Sequence, residues 1–293
     1  MPSFGYTLMC EQSAPNALVD DAVRAEAAGF DFAVISDHYS PWLDSQGHAP
    51  NAWPVLGAVA HATNRIELMT YVTAPIMRYH PAVIAQQAAT VDLLAGGRFT
   101  LGLGAGENLN EHVVGRGWPP VNVRHEMLEE ALEIISALFQ GGYVNFVGTH
   151  FRVDSAKLSD LPDPPPRIAL AVSGTQSIGL TRGLADALIA VEWAHDQFRW
   201  FAGGWKVNAE LPGTTGFAAA TQFVTKDDVA DNISCGPDLD AHVAAVKKFL
   251  DAGFTHVAPV QIGGEHQTEF IDWAKRELLP ALRAASSFRR CLS

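Results

Sequence analysis

Residues 26–42, EAAGFDFAVISDHYSPW, contain the pattern from which the fold class can be predicted. This stretch contains the end of an amphipathic helix, a stop at Gly29, a short apolar run and a polar loop that begins at Asp37. Glycine often ends a helix because it adopts the left-handed conformation without strain. A short apolar run so close behind a helix predicts a buried strand. The stretch therefore predicts one unit of an α/β fold.

The same order of apolar run, loop, amphipathic helix and glycine recurs along the chain. It predicts seven strands, over Phe4–Cys10, Phe30–Ser36, Ile66–Val72, Phe99–Gly104, Arg167–Val172, Ala187–Val191 and His256–Ile262. It predicts helices over Ala17–Ala28, Ala52–Thr63, Pro81–Leu94, Val123–Gln140, Leu239–Ala252 and Thr268–Ala285, and a helical pattern over Phe217–Thr225.

A closed (β/α)8 TIM barrel needs one strand more than this pattern supplies. Between Val191 and Leu239, the weakly alternating Trp205–Glu210 is the segment that could serve as the missing strand. We expect one domain over residues 1–293, a (β/α)8 barrel that is shortened at its sixth to seventh unit.

Composition restricts the class of protein. Of the 293 residues 48% are hydrophobic and 18% are charged, which is typical of a globular chain with a large core. Lys and Arg number 20 against 32 Asp and Glu, a formal charge of −12, which argues against nucleic acid and anionic membranes as partners. The three widely spaced cysteines, Cys10, Cys235 and Cys291, predict free thiols, and the N-terminus lacks a secretory pattern, so we expect a cytoplasmic protein.

Candidate catalytic side chains follow the predicted second strand. Active sites of parallel α/β folds lie at the carboxyl ends of the strands. Asp37, His38 and Trp42 stand at such an end, and histidine is the natural proton carrier near neutral pH. The alternative is a solvated loop in which Asp37 caps a turn.

A second candidate follows the fourth strand. Gly102-Leu103-Gly104-Ala105-Gly106-Glu107 allows a close backbone approach by a flat ligand or a phosphate, but its glycine spacing does not match the Rossmann motif. Glu107 is a candidate general acid, and its alternative role is to cap a helix. Ser173 and Gly174, after the fifth strand, could bind a phosphate through backbone N–H groups, although this signal is weak.

Other chemistries lack their motifs. No histidine pair, C-x-x-C spacing or carboxylate cluster predicts a metal site, and no G-x-S-x-G elbow predicts acyl transfer.

The sequence resembles the luciferase-like flavin and deazaflavin oxidoreductases. The stretches that carry the resemblance are EAAGFDFAVISDHYSPW (26–42), RYHPAVIAQQAATVDLLAGGRFTLGLGAGENLNEH (78–112), DALIAVE (186–192) and the segment 235–257. The branch that it resembles contains the F420-dependent glucose-6-phosphate and related sugar-phosphate dehydrogenases. The resemblance implies a TIM barrel that binds coenzyme F420, or FMN in other branches, at the carboxyl ends of the strands.

The resemblance also implies roles for individual residues. It places Asp37 against the coenzyme, a non-prolyl cis peptide bond between Tyr71 and Val72 behind the ring, and the coenzyme phosphate on Ser173 and Gly174. The residues that it places around the ring are Gly106, Glu107 and Asn110. For an alcohol substrate, it implies that His38 accepts the hydroxyl proton as hydride leaves, that Glu107 protonates the reduced ring and that Trp42 stabilises the developing charge. For a carbonyl or alkene substrate the roles reverse.

The sequence departs from this branch where a Thr and a Lys are expected to hold the sugar phosphate. Val191-Glu192-Trp193-Ala194 stands there, and a glutamate in place of a cation repels a phosphate. We therefore expect an F420-dependent oxidoreductase with a small-molecule substrate other than glucose 6-phosphate, in a barrel that can be a homodimer. Two alternatives stay open: an FMN-dependent monooxygenase on the same barrel, and a degenerate barrel that binds a flavin without turnover.

Overall fold

The computed structural model describes residues 1–172, 185–190, 209–231 and 233–287. Its strands are β1 (Ser3–Leu8), β2 (Phe32–Ile35), β3 (Glu67–Thr70), β4 (Phe99–Leu103), β5 (Val144–Val147), β6 (Arg152–Ala156), β7 (Arg167–Ala171), β8 (Ala187–Ile189) and β9 (His256–Val257). Its helices of four or more residues are α1 (Pro15–Ala28), α2 (Ala52–Ala62), α3 (Pro81–Ala95), α4 (Asn108–Glu111), α5 (Val121–Phe139), α6 (Thr214–Thr221), α7 (Lys226–Ala230), α8 (Leu239–Asp251), α9 (Gln267–Trp273) and α10 (Leu279–Ser287). A π-helical turn joins α9 to α10.

Seven strands form one parallel sheet in the order β8-β7-β4-β3-β2-β1-β9. The last strand returns beside the first, with Ser3 opposite His256, and this pairing is what a (β/α)8 barrel requires. Helices α1, α2, α3 and α5 lie between successive strands of the sheet along the chain. The predicted α/β barrel architecture is confirmed.

The predicted seventh strand is not found in the part of the chain that the structure describes. Residues 205–208 of the candidate segment Trp205–Glu210 lie outside that part, and Ala209 and Glu210 form a turn. The described residues that follow form α6 and α7, so the helical pattern predicted at Phe217–Thr225 is a helix that begins and ends a few residues earlier. β8 and β9 are the two edges of the described sheet.

The antiparallel hairpin of β5 and β6 was not predicted from the sequence. Phe146 pairs with Val153 across the hairpin, which follows α5 outside the parallel sheet. The β5 sequence alternates half-buried and exposed positions, a pattern that four residues are too few to make distinctive.

Two glycines, Gly29 and Gly102, stand where the local geometry requires a residue without a side chain. Gly29 ends α1 with a φ of 98°, and its N–H bonds to the carbonyl of Ala25, as the glycine stop predicts. Gly102 lies in the middle of β4, where a Cβ would fall 1.9 Å from the carbonyl oxygen of Thr70. The close approach of β3 and β4 therefore requires glycine at position 102.

The last strand is shorter than predicted. The sequence predicts a strand over His256–Ile262, but β9 ends at Val257. The chain beyond it bonds to side chains instead: the Gln12 amide donates to the carbonyl of Gln261 at 2.7 Å and accepts from the N–H of Gly263 at 3.0 Å. The other predicted strands and the six helices agree with the structure to within two residues at each end. In the described ranges, no helix is long and apolar enough to span a membrane.

Candidate active site

His38 lies between two carboxylates at the carboxyl edge of the sheet. Its Nδ1 is 2.9 Å from Oε1 of Glu11, which follows β1, and its Nε2 is 3.7 Å from Oε2 of Glu107, which follows β4. The side chains of His38 and Glu107 are 11% and 17% exposed, whereas Glu11 is fully buried. The parallel topology thus brings together three ionisable groups that are far apart in the sequence.

Glu11 was missed by the sequence analysis. It is anchored by Ser36, whose hydroxyl donates to Glu11 Oε2 at 2.8 Å and accepts from the N–H of Cys10 at 2.9 Å. The rule that located His38 and Glu107 also applies to Glu11, because Glu11 stands in the first loop after a strand. Applied to β1, that rule finds this residue.

The carboxylates keep His38 charged. Burial alone lowers the pKa of an imidazole, but the charge and hydrogen bond of Glu11, with Glu107 and Asp37, raise the pKa of His38 to about 9. Burial opposes ionisation of Glu11, yet the imidazolium lowers the pKa of this carboxyl below its usual value. Because Glu11 faces Nδ1, the proton that His38 can exchange with a substrate is the one on Nε2.

The pKa of Glu107 is raised above its usual value. Burial raises its pKa, the imidazolium of His38 lowers it, and the negative charge of Glu11 raises it again. The separation of 3.7 Å between Glu107 Oε2 and His38 Nε2 is too long for a hydrogen bond, so both atoms can bond to a ligand.

Trp42 contacts the same imidazole. The His38 and Trp42 rings are 4.6 Å apart between centroids at 71°, an edge-on arrangement. The predicted grouping of His38, Trp42 and Glu107 is therefore present, whereas their catalytic roles stay predictions.

Asp37 is buried beside this group, and protein donors use most of its acceptor capacity. Its Oδ2 accepts from the hydroxyl of Thr73 at 2.7 Å. Its Oδ1 accepts from Arg78 at 3.1 Å and from the hydroxyl of Tyr79 at 3.2 Å. The contact between Asp37 and the coenzyme stays a prediction.

Arg78 and Glu111 complete this buried cluster, and the sequence analysis assigned neither a role. The backbone N–H of Arg78 donates to Glu111 Oε2 at 2.7 Å. Burial raises the pKa of Glu111 to about 7, although Arg78 acts to lower it. No local pattern marks such a pair, because its members lie 33 residues apart in the chain.

Asn110 and Gly106 also make contacts within the protein, besides their predicted place at the coenzyme ring. Asn110 Oδ1 accepts from the N–H of Tyr39 at 2.9 Å, and its amide nitrogen lies 3.5 Å from Glu107 Oε2. Gly106 has a φ of 76°, and a Cβ there would lie 3.3 Å from Cγ of Glu111. The fold therefore requires a glycine at 106, whether or not a ligand binds.

The peptide bond between Tyr71 and Val72 is cis, as the family resemblance implies. The Tyr71 hydroxyl donates to the carbonyl of Ala190 at 2.8 Å and so connects the ends of β3 and β8. Ser173 and Gly174, the predicted phosphate site, and Val191–Ala194 lie outside the described residues, as does Cys291. Among the residues that the structure describes, no three His, Cys, Asp or Glu side chains group as a metal site does.

Residues 3–231 match the family described as luciferase-like monooxygenase. The chain belongs to this family. Among curated members, the F420-dependent glucose-6-phosphate dehydrogenase of Beutenbergia cavernae is 43% identical over 189 residues, which are 64% of this chain and 56% of that relative. The matched part thus spans little more than half the length of that relative.

Two further comparisons cover nearly the whole chain of this luciferase-like protein. The F420-dependent hydroxymycolic acid dehydrogenase of Mycobacterium tuberculosis is 34% identical over 95% of this chain and 88% of its own length. The solved structure of an F420-dependent secondary alcohol dehydrogenase with an F420-acetone adduct superimposes with a TM-score of 0.85 at 25% identity, covering 96% of this chain and 99% of that one. The proteins that resemble this chain along most of its length therefore include a hydroxymycolic acid dehydrogenase and a secondary alcohol dehydrogenase, both named as F420-dependent.

Proposed function

We propose that this luciferase-like protein is an F420-dependent oxidoreductase that interconverts a small neutral alcohol and its carbonyl compound by hydride transfer. The observation that carries the proposal is His38, charged by Glu11 at 2.9 Å and standing 3.7 Å from Glu107 at the open edge of the sheet. The names of the related dehydrogenases support the same coenzyme.

The residues present fit this coenzyme. The end of β4 offers only the small residues Gly104, Ala105 and Gly106 before Glu107, so a flat ring can approach the backbone. We expect Tyr71–Val72 and the loop of Gly106, Glu107 and Asn110 to hold the ring, and Ser173 and Gly174 to hold the phosphate. When bound, the coenzyme supplies two-electron hydride chemistry to the site.

The chain's own contribution is the control of protons. With a pKa of about 9, His38 carries a proton on Nε2 at neutral pH and can donate it to a carbonyl oxygen. The carboxylate of Glu11 faces the Nδ1–H of His38 at 2.9 Å and thereby fixes the orientation of the ring. Glu107, with its raised pKa, can hold a second proton opposite His38. At neutral pH the protonated His38 favours carbonyl reduction, in which Glu107 would accept the proton that the coenzyme ring gives up. The oxidation of an alcohol requires that His38 first lose its proton and that Glu107 hold one.

The charge of the site favours a neutral substrate. The described cluster holds four carboxyl groups, those of Glu11, Asp37, Glu107 and Glu111, and two cations. Each cation already faces a carboxylate, His38 that of Glu11 and Arg78 that of Asp37. A phosphate placed beside these carboxylates meets like charges in a region of low dielectric. We therefore propose a substrate other than the sugar phosphates used by the dehydrogenases that the chain resembles.

A fluorescence titration of the purified protein with F420, run beside FMN, tests the coenzyme. We expect micromolar or tighter binding of F420 and weaker binding of FMN. Preference for FMN would replace the proposal with oxygen chemistry, and binding of neither would favour a degenerate barrel.

The substrate class is tested with the loaded enzyme. We expect reduced F420 to be consumed with acetone, and oxidised F420 to be reduced more slowly with 2-propanol at pH 7. Glucose 6-phosphate serves as the charged comparison, and a higher kcat/KM for it than for either neutral compound would contradict the proposed substrate class.

A further inference from the structure

Arg78 lies in the connection between β3 and α3, and the proposed chemistry gives it no task. Its side chain is 10% exposed, and its guanidinium carbon lies 4.6 Å from the centre of the Tyr79 ring. A buried guanidinium is costly unless several partners compensate its charge. The partners of Arg78 come from two different loops.

The first loop is the one that carries His38. One terminal nitrogen of Arg78 donates to the backbone carbonyl of Asp37 at 2.8 Å and to its carboxylate at 3.1 Å. Asp37 immediately precedes His38, so these bonds hold the backbone from which the imidazole projects.

The second loop is the one that carries Glu107. The backbone N–H of Arg78 donates to Glu111 at 2.7 Å, and Nε of Arg78 lies 3.6 Å from the other carboxylate oxygen. Glu111 is one helical turn beyond Glu107, to whose carbonyl its N–H bonds at 3.1 Å. Arg78 therefore connects the residues next to both members of the His38–Glu107 pair.

Electrostatics makes this connection necessary. Asp37 raises the pKa of Glu111 while Arg78 lowers it, so the two carboxylates repel each other and Arg78 offsets the repulsion. Loss of the guanidinium would leave two buried carboxylates, one on each loop, facing each other without a counter-ion.

We infer that Arg78 is a positioning residue that sets the separation between His38 and Glu107 by bridging Asp37 and Glu111. The inference rests on the proposed function only in that it assigns these two side chains to the reaction. The side-chain part of the bridge depends on shape as well as charge: Nη2 of the guanidinium bonds to Asp37 while its Nε lies 3.6 Å from Glu111, and a single ammonium group cannot stand in both places. Arg78→Lys is therefore the informative substitution.

The first test needs no coenzyme. The pKa of His38, which faces Glu11, Glu107, Asp37 and Trp42, is measured by NMR of the imidazole in four full-length proteins: wild type, Glu107→Gln, Arg78→Lys and the double variant. In the wild-type background, Glu107→Gln should lower this pKa by about 1 unit, since a carboxylate at this distance shifts a neighbour by about that much. In the Arg78→Lys background the shift should fall to less than half, because Glu107 is no longer held near the ring. An equal shift in both backgrounds overturns the inference.

The second test uses the loaded enzyme. Arg78→Lys should lower kcat about 10- to 100-fold, the effect expected of a misplacement of about 1 Å, while the Kd of F420 changes less than about threefold. The matched control is Arg98→Lys, since Arg98 is also partly buried but donates to backbone carbonyls of Ala60, Thr63 and Ile66, away from the site. A wild-type kcat in Arg78→Lys, or an equal loss in Arg98→Lys, overturns the inference. Should F420 fail to bind, the proposed function fails while the NMR test still decides the bridge.

Discussion

His38 is the residue whose chemistry depends most on its neighbours. A free imidazole has a pKa near neutrality, whereas Glu11 at 2.9 Å raises the pKa of His38 to about 9. The same contact gives the fully buried carboxylate of Glu11 a charged partner. His38 and Glu11 therefore depend on each other for stability as well as for charge.

Removal of His38 should separate these two effects. We expect His38→Ala to lower kcat about 10²–10⁴-fold, the contribution of a positioned general acid or base, with F420 binding retained. The substitution also leaves Glu11 buried without its partner, so the protein should lose stability in urea unfolding. The double variant with Glu11→Gln should recover stability and not kcat. An unchanged kcat in His38→Ala would remove this residue from the mechanism.

Glu11→Gln should move the pH dependence. The amide keeps an acceptor for Nδ1 but removes the charge, so the pKa of His38 should fall from about 9 toward the ordinary histidine value of 6.5. Carbonyl reduction needs the protonated ring, so its rate should decline at lower pH than in the wild type. Alcohol oxidation needs the neutral ring, so its rate should rise at lower pH.

The measurement is kcat against pH in both directions. Glu130→Gln is the control, because Glu130 is also a carboxylate but accepts from the backbone N–H groups of Thr149, His150 and Phe151. Profiles that coincide for wild type and Glu11→Gln would refute the role given to Glu11.

At the scale of elements, the ends of the strands carry the site while the strands themselves only hold it. β2 and β4 are buried along their whole length. The ionisable side chains of His38 and Glu107, which follow these strands, are partly exposed. Three neighbouring residues at α4 make contacts within the site. Glu107 immediately precedes the helix, Asn110 accepts a hydrogen bond from the N–H of Tyr39, and Glu111 accepts one from the N–H of Arg78. A four-residue helix thus transmits the position of one loop to another.

Residues 173 and 174, which follow β7 in the sequence, carry the element-scale prediction. If the backbone of Ser173 and Gly174 binds the coenzyme phosphate, Gly174→Val should weaken F420 binding about tenfold or more, because a side chain there obstructs the backbone N–H groups. Fluorescence titration measures the Kd. Gly213→Val is a suitable control, since Gly213 has an extended φ of 179° and no atom within 4 Å of an added Cβ. An unaltered Kd in Gly174→Val would defeat the phosphate assignment.

At the scale of the whole molecule, the C-terminal segment closes onto the first strand. Gln267 at the start of α9 is buried, accepts from the hydroxyl of Tyr6, and donates to the carbonyls of Gln261 and Gly263 at 2.9 Å each. This side chain therefore joins β1 to the chain beyond β9.

Gln267→Ala should destabilise the fold. It leaves the Tyr6 hydroxyl and two carbonyls without their partner, and buried polar groups left in this way cost about 1–3 kcal/mol each, partly recovered by water. We expect a loss of about 2–3 kcal/mol in the free energy of urea unfolding. Gln140→Ala, at an exposed side chain, should cost less than about 0.5 kcal/mol. Equal stabilities for the two variants would contradict the importance of this closure.

The parallel barrel and the side chains of His38, Trp42 and Glu107 in its candidate site could be predicted from local sequence patterns. Apolar runs followed by helices and glycines are local patterns, so the strands of the parallel sheet other than β9, together with six of the helices, could be located to within two residues. His38, Trp42 and Glu107 could be found because each follows a strand, and parallel strands bring their carboxyl ends to one edge.

How these groups are charged and held depends on contacts that exist only in the folded protein. The Glu11–His38 pair spans two strands, and Arg78 bonds to Asp37 and Glu111 across three connections. Such contacts produce no periodic pattern in the sequence, because they join residues that are distant along the chain and come close only after the sheet has formed. For the same reason the hairpin of β5 and β6 and the early end of β9 were missed: each is set by pairing with a neighbour rather than by its own pattern.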